Sequence, residues 1–86
     1  MTMEVFPGIT MNPARCEGKP CIAGTAIDVS TAVGTLGMGK TFAETQEILG
    51  LTYEQLLAAL RYASYVTDHL PLRLPAHSPD SGTGQT

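Results

Sequence analysis

The chain has 86 residues, 43% of them apolar, with five Lys and Arg against eight Asp and Glu for a net charge of −3. That is enough for one small domain, which buries only about 60% of the surface its unfolded chain exposes, and it excludes nucleic-acid binding by bulk positive charge, because affinity for phosphate comes from Lys and Arg displacing counterions. No run approaches the roughly 18–20 apolar residues of a membrane span, and Met1-Thr2-Met3-Glu4-Val5-Phe6-Pro7 lacks the basic-then-apolar layout of a secretory signal, so the expected setting is the cytoplasm, with Cys16 and Cys21 as reduced thiols.

Residues 1–29 read as an N-terminal β and loop arm. Pro7-Gly8, Asn12-Pro13, Gly18, Pro20 and Gly24 break it into short apolar pieces at 9–11, 21–23 and 26–29, which suit short strands and not helices. A ribbon of this size is unstable alone in water, so it must lie on the rest of the domain or pair with another chain.

Residues 30–70 read as a three-helix core. Ser30 or Asp28 caps a first helix that runs to about Leu36 and ends at Gly37 and Gly39, glycine being the usual helix terminator. Thr41 and Glu44 have the spacing of a capping box, in which a side-chain oxygen and a carboxylate each satisfy an orphan N–H group of the other residue. The spacing predicts a second helix from Phe42 to about Leu49, with Gly50 closing it and Leu51 as a buried connector. Thr52 and Gln55 repeat the box for a third helix, where Tyr53, Leu56, Leu57, Leu60, Ala63 and Thr67 recur at the period of one buried face. Residues 71–86 contain Pro71, Pro75 and Pro79 among small polar residues. They bury too little to offset their ordering entropy, and the expectation is a disordered tail.

The stretch from Thr41 to Arg61 has the outline of a helix-turn-helix, whose second helix presents its first residues to the major groove. Those residues are Tyr53, Glu54 and Gln55. Glutamine suits adenine, but no Lys or Arg precedes Arg61 in that helix, so DNA contact requires a dimer that gathers Arg15, Lys19, Lys40 and Arg61 into a basic patch. The run Gly34-Thr35-Leu36-Gly37-Met38-Gly39-Lys40-Thr41 fits the phosphate-loop pattern, yet such a site also needs an aspartate on a neighbouring strand to hold magnesium. The downstream aspartates are Asp68, inside the third helix, and Asp80, in the tail, and the reading is that no nucleotide binds. Cys16 and Cys21 would need two further ligands to hold zinc. His69 and His77 are the only histidines, and no metal, cofactor or catalytic constellation is expected. A second stripe on the third helix, Ala58, Tyr62, Tyr65 and His69, either covers the domain's own core or forms a protein interface, and the interface is the favoured reading.

The residues Pro7-Gly8-Ile9, Asn12-Pro13, the run from Cys16-Glu17-Gly18-Lys19-Pro20-Cys21 to Val29, Gly37-Met38, Leu51-Thr52 and Ala58-Ala59-Leu60-Arg61-Tyr62-Ala63 resemble domain-of-unknown-function family 433, a family of small VapB-like antitoxins. The resemblance covers about residues 5–68. It implies a mostly α protein, a homeodomain-like three-helix (helix-turn-helix) unit preceded by a short β segment used in self-association. It further implies a non-enzymatic antitoxin of a type II toxin-antitoxin pair that inhibits a PIN-like ribonuclease toxin, with operator DNA as a second ligand. One departure is Ala26, where the family carries arginine, so a guanidinium able to pair with carboxylate or phosphate is absent. The expected homo-oligomer meets its toxin through Tyr62, Tyr65, His69, Leu70, Leu72, Arg73 and Leu74. The alternatives are a stand-alone helix-turn-helix regulator using Tyr53, Gln55, Arg61, Arg15, Lys19 and Lys40, and a pure oligomerisation module.

Overall fold

The computed structural model describes residues 1–70. Its elements in chain order are β1 (Met3–Phe6), β2 (Ile9–Met11), a short 3₁₀ turn (Cys16–Gly18), β3 (Cys21–Ile22), α1 (Val29–Gly37), α2 (Phe42–Leu49) and α3 (Tyr53–Asp68). The three strands form one antiparallel sheet in the order β1-β2-β3. None of the described helices is long and apolar enough to cross a membrane.

The arm holds two features that differ from expectation. Met3–Phe6 is a strand, paired so that Met3 faces Met11, Glu4 faces Thr10 and Phe6 faces Ile9, with a bulge between Glu4 and Phe6. Local composition did not mark it, because Met-Glu-Val-Phe becomes a strand by pairing with β2. Residues 26–29 are not a strand: Val29 opens α1 and Asp28 is its cap. The preceding chain turns instead, with Gly24 at φ +80 and the Thr25 hydroxyl donating to the Ile22 carbonyl at 2.8 Å.

The arm is not an appendage. Ile9 and Ile22 are fully buried beside Ala32, Leu56 and Ala59, and Val29 and Leu51 complete the same core. Two devices bring the β1–β2 hairpin onto α3. Gly8 adopts φ +83 and passes so close that a Cβ there would lie 2.9 Å from the Ala58 Cβ, a fit that only glycine allows. The Phe6 ring then packs edge-on against Tyr62 at 5.4 Å and at a tilt against Tyr65 at 5.2 Å between centroids.

The helices follow their sequence signals closely. The Asp28 carboxylate accepts the Thr31 N–H at 3.2 Å. Both capping boxes are formed: Thr41 with Glu44 at 3.0 and 2.9 Å, and Thr52 with Gln55 at 3.1 and 2.8 Å. Gly50 takes the left-handed conformation at φ +70, which lets the Leu51 N–H close on the Gln46 carbonyl at 3.0 Å and drops Leu51 into the core. The buried face of α3 is rotated from the one expected. Leu56 and Ala59 are at its centre, with Ala58, Tyr62 and Ala63 packed around them, while Tyr53 and Thr67 are exposed. The shift arises because the arm covers the Ala58 and Tyr62 side of the helix, which periodicity alone could not register.

The expectation of two free thiols is corrected. Cys16 and Cys21 are joined as a disulfide with their Cα atoms 6.3 Å apart, a separation within the range a bridge requires. The chain makes the approach by turning through three successive left-handed residues, Cys16 at φ 51, Glu17 at φ 55 and Gly18 at φ 79. For Cys and Glu that conformation costs about 1–2 kcal/mol each, while closing so short a loop stabilises the fold by about 2 kcal/mol in the chain-entropy view.

Candidate partner-binding surface

An apolar groove of about 330 Å³ runs between α1 and α3, bordered by Val29 and Val33 on one wall and Tyr62, Ala63 and Val66 on the other. The two helices pack directly against each other, and the groove lies between the side chains they present there. Lys19 and Pro20 form one rim. The Lys19 ammonium lies 3.8 Å from a carboxylate oxygen of Asp28 and 3.8 Å from one of Glu17. Asp28 has a side chain only 15% exposed. Hydrogen bonds from Thr31 hold its carboxyl below the usual value, with Ser30 and the Lys19 charge adding to the effect against the opposing pull of desolvation. The rim therefore carries a fixed charge pair over an apolar trough.

Of the residues expected to meet a partner, Tyr62 is half-buried in this groove, with Phe6 from the same chain packed on it. Tyr65 remains 47% exposed, and the His69 ring stacks on it with centroids 4.2 Å apart while its Nδ1 lies 2.8 Å from the Tyr65 carbonyl oxygen. Part of the tyrosine stripe covers the core through Phe6, and part faces outward. Leu70 is half exposed. Leu72, Arg73 and Leu74 lie outside the described residues, as does His77. The sequence reading missed Val29, Val33 and Val66 as a surface. Their spacing was visible, since Val29 and Val33 are four residues apart, as are Tyr62 and Val66, but each pair looks like ordinary core until the helices are set side by side.

The residues expected to read DNA are scattered and partly engaged. Tyr53 packs against Phe42 at 5.3 Å between centroids, and the Gln55 side-chain Oε1 accepts the Thr52 N–H. The Arg15 guanidinium donates to the Thr25 carbonyl at 3.3 Å. Lys19 makes both ion pairs found among the described residues, whereas Lys40 stands in the α1–α2 connection and Arg61 is exposed midway along α3. The phosphate-loop pattern falls on helix: Gly34 to Gly37 belong to α1, and the N–H groups of Met38 and Gly39 donate to the carbonyls of Gly34, Thr35 and Leu36. Those groups have no loop in which to surround a phosphate. Among the described residues no three His, Cys, Asp or Glu side chains gather as a metal site would require.

A second apolar hollow, of about 400 Å³, lies on the arm between Met1, Met3, Val5, Met11 and Pro13. Met1 is 93% and Met3 59% exposed. Met1 precedes and Met3 begins β1, an edge strand of the sheet.

The fold and these surfaces define a small three-helix domain with a β arm packed into its core and two apolar faces turned outward. The model of the family described as a protein of unknown function, DUF433, matches residues 9–63, and the chain belongs to that family. It is similar to the crystal structure of Rv2018 from Mycobacterium tuberculosis, with 33% identity and a TM-score of 0.55 over 60% of this chain. The likeness takes in 24% of the Rv2018 chain, so the matched part of this protein spans about a quarter of that one. No curated protein matches the chain.

Proposed function

We propose that this protein is a non-enzymatic, antitoxin-like binding protein of the cytoplasm, which inhibits a PIN-like ribonuclease toxin as one half of a type II toxin-antitoxin pair. The carrying observation is the α1–α3 groove: an apolar trough with a charged rim, with Tyr65 and His69 exposed near the same end of α3. A folded domain this small gains from covering such a face, and aromatic residues beside an apolar centre suit a protein partner. Self-association belongs to the same reading. The outer edge of β1 with Met3 and Val5 exposed offers a template for a further strand, which is how the arm would join two copies. Co-expression with a neighbouring PIN-like ribonuclease tests the proposal. Co-purification with loss of ribonuclease activity is the expected result, and full activity in the mixture refutes it. Sedimentation of the isolated protein tests the self-association, which a stable monomer at micromolar concentration would rule out.

A second reading, a homeodomain-like helix-turn-helix that binds operator DNA, draws on the α2–α3 connection, where Gly50-Leu51-Thr52 join two capped helices. Its test is a salt titration of binding to upstream DNA, in which phosphate contacts give a steep fall of affinity with salt. Absence of binding at low salt removes it. If neither toxin nor DNA binds while oligomers persist, the protein is an assembly module.

A further inference from the structure

The Cys16–Cys21 bridge has no part in the function proposed above, yet it closes the loop that carries the groove's rim residues Lys19 and Pro20. Cys21 is anchored: it is 4% exposed and pairs with Thr10 in the sheet. Cys16 is half-buried and lies at the start of the left-handed turn. Among the described contacts, the turn itself is closed by two backbone hydrogen bonds, from the Gly18 N–H to the Arg15 carbonyl at 2.8 Å and from the Lys19 N–H to the Cys16 carbonyl at 2.9 Å. The next two residues are the groove's rim. Lys19 pairs with Asp28, and the Pro20 carbonyl accepts the Val29 N–H at 2.9 Å, tying the turn to the first residue of α1.

Non-glycine residues in left-handed conformations persist only where the surroundings over-determine them, and such strain gathers at sites that switch. Here Cys16 and Glu17 are both so placed, and the disulfide is the covalent restraint on the pair. In a cytoplasmic setting thiols are kept reduced, and the disulfides that do form are mostly transient or redox-sensing.

We propose that the Cys16–Cys21 disulfide is a redox latch on the α1–α3 groove, opened by a dithiol reductant, so that partner binding is strong in the oxidised protein and weakened in the reduced one. The proposal rests on the groove being the partner site. In the opening step a thiolate of the reductant attacks the more accessible Cys16 sulfur, the S–S bond breaks, and Cys21 leaves as a thiolate that takes up a proton. The second thiol of the reductant then attacks the mixed disulfide, releasing Cys16 as a thiol and leaving the reductant as its own disulfide. Two electrons pass to the protein. Without the bridge, Cys16 and Glu17 relax out of the left-handed region, and Lys19 and Pro20 move with them.

The test compares oxidised and reduced full-length protein by amide and methyl NMR, with thiol labelling to report the state of the cysteines. Reduction is expected to shift the signals of Val29, Ser30, Val33, Ala63 and Val66 while α2 stays unchanged. Shifts confined to residues 16–21 overturn the latch, and so does a reduced protein that has lost its far-ultraviolet circular dichroism, because a latch needs a folded open state. The Glu17→Gly variant separates strain from simple bracing: glycine accepts the left-handed conformation, so its groove signals should respond less to reduction, and an undiminished response overturns the strain argument. Binding to the PIN-like ribonuclease should weaken about tenfold on reduction, equivalent to ~1.4 kcal/mol. Equal binding by both forms, with moving groove signals, refutes the regulatory claim. Binding by neither form, with moving groove signals, refutes the toxin reading and leaves the latch standing.

Discussion

Gly8→Ala adds one methyl group at the point where the arm touches α3, and two separable effects oppose it. The left-handed φ of +83 costs an L-residue about 1–2 kcal/mol. The new Cβ meets the Ala58 Cβ at 2.9 Å, an overlap that forces the arm or the helix to move and, like other overpacking, costs about 1–3 kcal/mol. Stiffening of the unfolded chain returns about 0.4–1 kcal/mol. The net loss is about 1–5 kcal/mol, against roughly 4–13 kcal/mol of total stability for a chain of this length at ~0.05–0.15 kcal/mol per residue. Ala58→Gly removes the other half of the overlap and by itself costs about 1 kcal/mol in helix propensity. The decisive quantity is the coupling. In the Gly8→Ala/Ala58→Gly protein the overlap is gone while both backbone penalties remain, so the double variant should be more stable than the sum of the singles predicts by about 1–3 kcal/mol. Urea unfolding of all four proteins, followed by far-ultraviolet circular dichroism with m-values compared, gives that number. Additivity within ~0.5 kcal/mol would refute the argument that close approach, and not φ alone, requires glycine here.

Further outcomes follow from single contacts. Thr52→Ala removes the acceptor of the Gln55 N–H and should lower stability by about 1 kcal/mol, read as a shifted urea midpoint with unchanged m-value. Leu56→Ala empties a position with no exposure at all and should cost about 2–5 kcal/mol, a thermal denaturation readout. Because the Asp28 carboxyl is held below its usual value, the stability it contributes is fully present above the unfolded-state value of about 3.9 and is lost as pH falls through the lower folded-state value. Asp28→Asn keeps a capping oxygen but not the charge, so its stability deficit should be constant near neutral pH and vanish in strong acid; a deficit that persists in acid contradicts the assignment. Val66→Asp places a charge in the groove and should weaken ribonuclease binding at least tenfold, about 1.4 kcal/mol, in calorimetry, with circular dichroism unaltered.

What could be read from the sequence divides along the range of the interactions involved. Helix ends were legible because capping is decided within four residues: Thr41 with Glu44, Thr52 with Gln55 and the left-handed Gly50 need no tertiary context. The strand Met3–Phe6 was not legible, since it depends on pairing with β2 and on Phe6 reaching Tyr62 and Tyr65 across most of the chain. The buried face of α3 was rotated for the same reason. The disulfide was missed because it was argued from compartment and ligand spacing, whereas the left-handed turn at Cys16 and Glu17 supplies the approach, and non-glycine residues do not advertise that conformation. Of the proposed partner surface, the exposed Tyr65 and His69 were among the residues singled out from the sequence. The groove was not, because it is made from two helices whose apolar residues look like core one helix at a time.

The hairpin's dependence on α3 also sets a schedule for synthesis. Gly8 and Phe6 leave the ribosome about fifty residues before Ala58 and Tyr62, the surfaces they pack on, and at ~5–20 residues per second that is an interval of about 3–10 s. For that time β1 has been made and its helical floor has not. A nascent chain in that state can pair β1 with β2, which follows it directly, but Phe6 and Ile9 stay uncovered until α3 is made.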